Sequence, residues 1–255
     1  MSPLNTPLIL VTNDDGVHAP GLKILAEALF EVGDVVVVAP ERERSAVSHA
    51  LTLHKPLRMR EVRRNWHSCS GTPADCVYMG LHHVLDRPPD LVVSGINSQV
   101  NLGDDVVYSG TAAGAREAAL MDVTRALAFS ADTRHSASKE LADQAVKIAR
   151  TVLDEDGTPD TFLNINFPRG TGPQTPMRLT CLGVRNYGRQ VTEEVDPRGR
   201  SLYWVGGSFL GYEDVPGSDC NAVQEGFISV TPVHLRLTHR EAMASLENWS
   251  IFTKE

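Results

Sequence analysis

The chain has 255 residues, of which 42% are hydrophobic and 22% charged. That is an ordinary globular mixture, long enough for one large domain or a domain with an appended arm, and it excludes a disordered or collagen-like chain. The formal net charge of −8 and pI of about 5.6 argue against a nucleic-acid polymer as partner, because non-specific binding needs clustered Lys and Arg to displace counterions.

In chain order, Leu8–Thr12 (LILVT) is a short apolar run, as expected of a strand buried on both faces. Pro20 then opens a helix with Leu22, Leu25, Ala26 and Leu29 at helical spacing. Asp34–Ala39 (DVVVVA) is the next strand, which makes a βαβ unit and a parallel pair. Arg58, Arg60, Arg63 and Arg64 form the densest basic cluster, interrupted by Glu61, and read as a solvated edge. Thr72-Pro73-Ala74-Asp75 supplies an N-cap, a proline at N1 and an acid at N3 for a helix carrying Val77, Leu81, Val84 and Leu85.

Leu91–Ser94 (LVVS) is a third strand, followed by an Ala-rich helix from Thr111 to Met121 and a strand at Ala126–Ser130. A helix from Lys139 to Leu153 and a strand at Phe162–Phe167 complete the alternation. The pattern predicts a Rossmann-like doubly wound, mostly parallel sheet. Past Pro168 the chain turns Gly- and Pro-rich, with strand-like pieces at Leu202–Val205 and Ile228–Thr231 and no helix signal until near Thr238. The division expected is an α/β catalytic core over 1–182 and a β-hairpin-rich extension over 183–255, used for oligomerisation.

Cys69, Cys76, Cys181 and Cys220 form no CxxC pair and read as reduced thiols. Met1–Pro7 carries no basic stretch, and Leu8–Val11 is too short for a signal or a span. A cytoplasmic protein with no membrane partner is the expectation.

In a parallel sheet, ligands sit outside the carboxyl ends of the strands, so the chemistry should follow each strand. The first ends in Asn13-Asp14-Asp15-Gly16, the second runs through Pro40 to Ser45, and the third ends in Ser94-Gly95-Ile96-Asn97. Two carboxylates, a hydroxyl and a carboxamide converge there, with no acid expected from the second strand's tip. Such hard oxygen donors suit Mg²⁺, Mn²⁺ or Ca²⁺ better than Zn²⁺. Adjacent aspartates at a buried strand end would repel and raise each other's pKa unless a cation shares them. The bland alternative is one Asp capping a helix and one in water; matching polar residues on the neighbouring tips favour metal.

Ser109-Gly110-Thr111 opens the Ala-rich helix, with free N–H groups and two hydroxyls for an anion. Either hydroxyl could simply be an N-cap. Beside a metal platform, a phosphate seat is the better reading, with Asn13 joining it. Asp104-Asp105 reads as a capping or exposed loop. The chain has no G-x-G-x-x-G after its first strand, no GxxxxGK[ST] and no G-x-S-x-G elbow.

The segments TNDDGVHAPGL (12–22), VVAPERERSA (37–46), GTPADCVYMGL (71–81), PDLVVSGIN (89–97), NLGDDVVYSGT (101–111), DPRGRSLYW (196–204) and AVQEGFISVTPVHLRLT (222–238), in this order, resemble the survival protein SurE family of metal-dependent 5′/3′-nucleotidases. The resemblance implies that Asp14, Asp15, Ser45 and Asn97 bind one divalent cation per subunit (Mg²⁺ or Mn²⁺, with Ca²⁺ as a substitute). It places Ser109, Gly110 and Thr111 at the phosphate. It further implies a homodimer or homotetramer built by exchanging C-terminal segments, and trimming of short polyphosphate by some members. Gln99 departs from a usual glycine, Ala112 from the valine of SGTV, and Gly217-Ser218-Asp219 from GTD. Gln99 could narrow the phosphate approach or add a donor to it.

The expected reaction is hydrolysis of nucleoside 5′- and 3′-monophosphates and other small phosphomonoesters, with Asp14 and Asp15 as the catalytic pair. A nucleoside N-glycosidase would instead release free base, and a nucleotide sensor would bind without releasing phosphate.

Overall fold

Residues alternate along the buried strands, and that alternation divides the interior into two cores. Ile9 and Val11 of the first strand face one side of the sheet and Leu10 faces the other. The computed structural model describes residues 6–133, 138–247 and 249–251. Most of the lead Met1–Pro7 and the last residues of the 183–255 segment therefore lie outside the described residues.

The elements in chain order begin with β1 (Leu8–Thr12), α1 (Pro20–Leu29), β2 (Asp34–Pro40), β3 (Met59–Arg63) and β4 (Trp66–Cys69). Next come α2 (Pro73–Met79), a π-helical turn over Gly80–Val84, β5 (Leu91–Asn97), a 3₁₀ turn over Gly103–Val107 and α3 (Gly110–Leu120). The core continues through β6 (Ala126–Ala131), α4 (Lys139–Asp154) and β7 (Thr161–Phe167). The remainder is β8 (Met177–Leu179), β9 (Arg185–Tyr187), β10 (Val191–Val195), β11 (Ser201–Val205), β12 (Phe209–Tyr212), α5 (Asp219–Gln224), β13 (Ile228–His234) and α6 (Arg240–Leu246).

Nine strands form one sheet in the order β3-β4-β2-β1-β5-β6-β7-β13-β8. β1 pairs in parallel with β2 on one side and β5 on the other, and β4, β6 and β7 extend the parallel run. The chain winds outward from β1 in one direction, then returns to wind in the other, so the topological switch point lies between β1 and β5. α1 and α4 cover one face through Leu22, Leu25, Leu29, Leu141 and Ile148, and α2 and α3 cover the other through Cys76, Val77, Ala112, Ala115 and Ala118.

α2 starts as its sequence predicts. Thr72 Oγ1 accepts from the Asp75 N–H at 3.1 Å, and the Asp75 carboxylate accepts from the Thr72 N–H at 2.8 Å, a reciprocal capping box. α3 lies unusually close to the sheet because its residues are small: a Cβ on Gly114 would stand 2.9 Å from Ser94 Oγ and from Thr12 Cγ2. That depth sets the helix N-terminus over the end of β1.

Three features depart from the sequence reading. The basic stretch around Arg60 and Arg63 is itself a strand, β3, which pairs antiparallel with β4 at the sheet edge. A short helix, α5, forms where no helix signal was seen, capped by Ser218 Oγ accepting from the Asn221 N–H. And β13, within the segment expected to be appended, pairs antiparallel with β7 and parallel with β8 inside the central sheet. The hairpin pieces β10–β11 and β12–β9 form separate two-stranded sheets. All four cysteines are free, and among the described residues no helix is long and apolar enough to cross a membrane.

Candidate active site

β1 ends in buried backbone, and the turn after it is closed by Asn13. Its Nδ2 donates to the Gly16 carbonyl at 3.1 Å, and its Oδ1 accepts from the Gly16 N–H at 3.2 Å. Gly16 has φ +102°, where side chains are disfavoured, and a Cβ there would lie 3.1 Å from the Arg42 carbonyl carbon. The turn is fastened to the loop after β2: the Val17 N–H donates to the Pro40 carbonyl at 2.8 Å, and the Arg44 N–H to the Asp14 carbonyl at 2.7 Å. Farther along, Ser48 Oγ donates to the Val107 carbonyl at 2.7 Å, and His49 Nε2 lies 2.6 Å from the buried Glu117 carboxylate of α3. The loop carrying Ser45 is thus tied at both ends.

Asp14 is 4% exposed, and its Oδ1 accepts a 2.6 Å hydrogen bond from Thr111 Oγ1. Burial pushes its carboxyl above the ordinary value, against the Thr111 hydroxyl and N–H, which favour the ionised form. Asp15 is half-buried and pushed up to about 6, by burial first, then by the charges of Asp14 and Glu43. Gly110 makes this proximity possible, since a Cβ on it would stand 2.8 Å from Asp14 Cβ and 3.0 Å from Oδ2.

Asn97, at the end of β5, donates from Nδ2 to the Gln99 carbonyl at 2.7 Å, which leaves Oδ1 as its free donor atom. Ser45 Oγ donates to Glu43 Oε1 at 2.7 Å. Ser109 is the N-cap of α3, where its Oγ accepts from the Ala112 N–H at 3.0 Å and keeps its own proton to donate.

A cavity of about 920 Å³ gathers Asp14, Asp15, Glu43, Ser45, Asn97 and Ser109 on its wall. It lies at the β1/β5 switch point, and its size suits a small organic ligand. Of the residues singled out in the sequence, Asp14, Asp15, Ser45, Asn97 and Ser109 come together there. Asn13, Gly110 and Thr111 do not line it: they are buried behind Asp14, closing its turn and holding its carboxylate. Gln99 does line the cavity, with its side chain exposed at the rim. The expectation of no acid from the second strand's tip is corrected, since Glu43 acts on both aspartates. Sequence reasoning also missed Tyr108, Arg185, Tyr187 and Phe209, which line the same cavity. Glu43 was legible three residues past Pro40; the other four carry no motif. Asp105 is no free carboxylate, being ion-paired with Arg185 and accepting from the Tyr187 hydroxyl at 3.0 Å.

The donor set fits a hard divalent cation. Two aspartates and Glu43 crowd one wall, and among the described residues no Lys or Arg pairs with any of them. Nor do the described residues hold any group of three or more His, Cys, Asp and Glu arranged for a metal. A cation here would therefore rest on two carboxylates completed by neutral oxygens, a set suited to Mg²⁺-type ions that keep part of their water.

Fold and site together define a doubly wound α/β protein with an oxygen-lined, acidic cavity at its switch point. The profile of the family described as Survival protein SurE matches residues 9–189. The chain is 51% identical to the 5′-nucleotidase SurE of Syntrophotalea carbinolica, covering 96% of this chain and 98% of that protein. It is 49% identical to the 5′-nucleotidase SurE of Geobacter sulfurreducens, over 95% and 94% of the two chains. The crystal structure of the SurE protein from Aquifex aeolicus superposes with a TM-score of 0.84 at 41% identity, covering 94% of this chain and 98% of that one. The chain belongs to the survival protein SurE family.

Proposed function

We propose that this protein is a divalent-metal-dependent 5′-nucleotidase, which hydrolyses nucleoside 5′-monophosphates to nucleoside and inorganic phosphate. The observation that carries the reading is the cluster of Asp14, Asp15 and Glu43, which has no Lys or Arg partner among the described residues and shares one cavity with Ser45, Asn97 and Ser109. The near full-length relatives named 5′-nucleotidase SurE support the same activity. On the family resemblance the reading extends to 3′-monophosphates and short polyphosphate.

Asp14, Asp15, Ser45 and Asn97 would hold one Mg²⁺ or Mn²⁺ per subunit. When bound, such an ion supplies Lewis acidity toward a phosphoryl oxygen and makes water a better nucleophile. The protein's own groups do the rest. Thr111 and Asn13 fix Asp14 in place, and Asp15, with no side-chain hydrogen bond among the described residues, is the carboxylate free to orient the attacking water. Ser109 donates its hydroxyl proton toward a phosphate oxygen, backed by the first turn of α3 at Gly110 and Thr111, whose N-terminal dipole favours negative charge. Water oxygen bonds to phosphorus, the ester P–O bond breaks, and the proton lost by the water ends on the nucleoside hydroxyl.

The reading includes oligomerisation, supported by the exposed apolar hairpin, in which Val191, Val195, Leu202, Tyr203, Trp204 and Val205 all face solvent in the single chain. Such a surface is characteristic of an interface, and a homodimer or homotetramer in the cytoplasm is the assembly we expect. Light scattering after gel filtration reads it directly.

The deciding experiment is phosphate release from a panel of nucleoside monophosphates, with EDTA and with each metal restored. Release that vanishes with EDTA and returns with Mg²⁺ or Mn²⁺ supports the reading. Free base in place of phosphate would make the protein an N-glycosidase, and binding without product would make it a sensor.

A further inference from the structure

On the face of the sheet that carries α3, the strands turn from apolar to polar as they approach the cavity. Ala128 of β6 and Phe162 of β7 belong to the apolar core. Farther along the same face come Ser130, then Asn164 and Asn166, all fully buried. Register sets Asn97, Ser130, Asn166 and Ser229 in one row across β5, β6, β7 and β13. Buried carboxamides are costly without partners. Here the partner is the loop that follows β5, whose own peptide groups must also be satisfied once they leave water.

The match falls on one residue of that loop. Asn166 Oδ1 accepts from the Asn101 N–H at 2.8 Å, and Asn166 Nδ2 donates to the Asn101 carbonyl at 3.1 Å. One side chain thus grips both main-chain groups of Asn101. Asn164 Nδ2 donates to the same carbonyl at 2.8 Å, and Asn101 Nδ2 donates to Ser130 Oγ at 2.8 Å. Asn101 is held by backbone and side chain alike. Two residues before it, the Gln99 carbonyl accepts from Asn97 Nδ2, which leaves Asn97 Oδ1 free.

We infer that Asn166 is a positioning residue for Asn97: it fixes the loop at Asn101, and the fixed loop orients the Asn97 carboxamide in the cavity. The inference rests on the metal-dependent reading above, in which Asn97 is a ligand, and deepens it. Asn166 does not itself line the cavity, so it acts only through the loop. Groups that orient metal ligands from behind carry about 10–100-fold in metal affinity.

The test is Mn²⁺ binding to the metal-free protein, read from the electron paramagnetic resonance signal of free Mn²⁺. Asn166→Ala should raise the Kd by roughly ten- to a hundredfold. Leu29→Ala is the control, a fully buried side chain at the end of α1 in the opposite core. It should melt earlier than wild type and bind Mn²⁺ equally well. A wild-type Kd in Asn166→Ala overturns the proposal, as does an equal loss in Leu29→Ala, which would trace the effect to stability alone. If Asn166→Ala does not fold, Ser130→Ala carries the test, since it removes only the acceptor of Asn101 Nδ2. Weaker Mn²⁺ binding in that variant upholds the proposal, and wild-type binding overturns it. Should the wild type bind no Mn²⁺, the metal reading fails separately. Hydrogen exchange over residues 97–103 of the metal-free proteins then decides: faster exchange there in the folded Asn166 or Ser130 variant than in Leu29→Ala upholds the positioning role, and equal rates overturn it.

Discussion

Thr111 Oγ1 donates to Asp14 Oδ1 at 2.6 Å, joining the first turn of α3 to the end of β1 across 97 positions of sequence. The bond lies in fully buried surroundings, where a carboxylate without partners is costly. It turns the helix N-terminus into a clamp on the carboxylate we assign to the metal. Groups that orient metal ligands from behind matter nearly as much as the ligands, and their loss costs about 10–100-fold in affinity or activity. Thr111→Val keeps the shape and removes the donor. Its apparent metal affinity, from activity titrated against Mg²⁺ or Mn²⁺, should fall by that factor, with Thr111→Ser retaining most of the wild-type value.

Gly110→Ala tests the same closeness sterically. The added methyl would meet Asp14 Cβ at 2.8 Å and the Arg44 carbonyl at 3.3 Å, both held by backbone hydrogen bonds. Alanine suits a helix better than glycine, so a loss here is not a loss of helix propensity. Displacing Asp14 by a fraction of an ångström to an ångström should cut kcat/KM by roughly a hundredfold. A wild-type rate in this variant would show that Asp14 has room to move and is not the fixed ligand we describe.

Asp15 gives a pH-dependent prediction whose sign is fixed by the direction of its shift. Its carboxyl is raised to about 6 in the folded protein, from 3.8. Below the unfolded value it is protonated in both states and costs nothing. Between there and about pH 6 stability is lost as pH rises, and above that the full cost of a buried charge beside Asp14 and Glu43 remains. In EDTA at pH 7.5, Asp15→Asn should therefore melt higher than wild type by roughly 2–4 °C, the equivalent of about 1 kcal/mol in a chain of this size. The gain should disappear near pH 4. Adding Mn²⁺ should reverse the order, since bound ligand stabilises only the protein that binds it. Thermal melts with and without metal at two pH values check all three statements.

Asp219 is buried, and its carboxylate gathers three N–H donors: Gly103 at 2.9 Å, Gly183 at 2.8 Å and Cys220 at 2.8 Å. It knots the turn leading to Asp105 and Ser109 to the strand that bears Arg185 and Tyr187. Burial raises its carboxyl while these donors oppose the rise. Asp219→Asn faces an NH₂ group toward at least one of those donors. It should destabilise the fold by about 1–3 kcal/mol, read as a lower midpoint in urea at unchanged m-value.

The first central strands were plain in the sequence because burial on both faces demands uninterrupted apolar residues, which Leu8–Val11 and Val35–Ala39 have, while Phe162–Phe167 keeps Phe162, Leu163, Ile165 and Phe167 apolar around the buried Asn164 and Asn166. β4 was missed because Trp66–Cys69 is four residues long and carries His67 and Ser68. β3 was missed because an edge strand can be charged throughout. α5 is only six residues long, too short for a periodic signal. β13 reads as a strand in isolation, but nothing local says that it inserts between β7 and β8 and not into a hairpin.

The sequence by itself determined the order of strands and helices, the acidic turn Asp14-Asp15 and the polar tips at Ser45 and Asn97, because strand burial and turn chemistry are written in neighbouring residues. Tertiary structure alone decided that Asn13, Gly110 and Thr111 stand behind Asp14 and not on the cavity wall, and that Glu43 adds its charge to the pair. It alone brought Tyr108, Arg185, Tyr187 and Phe209 to the same cavity. Those relations depend on which backbone segments approach to within a hydrogen bond or a ring's width, and only the packed chain sets such distances.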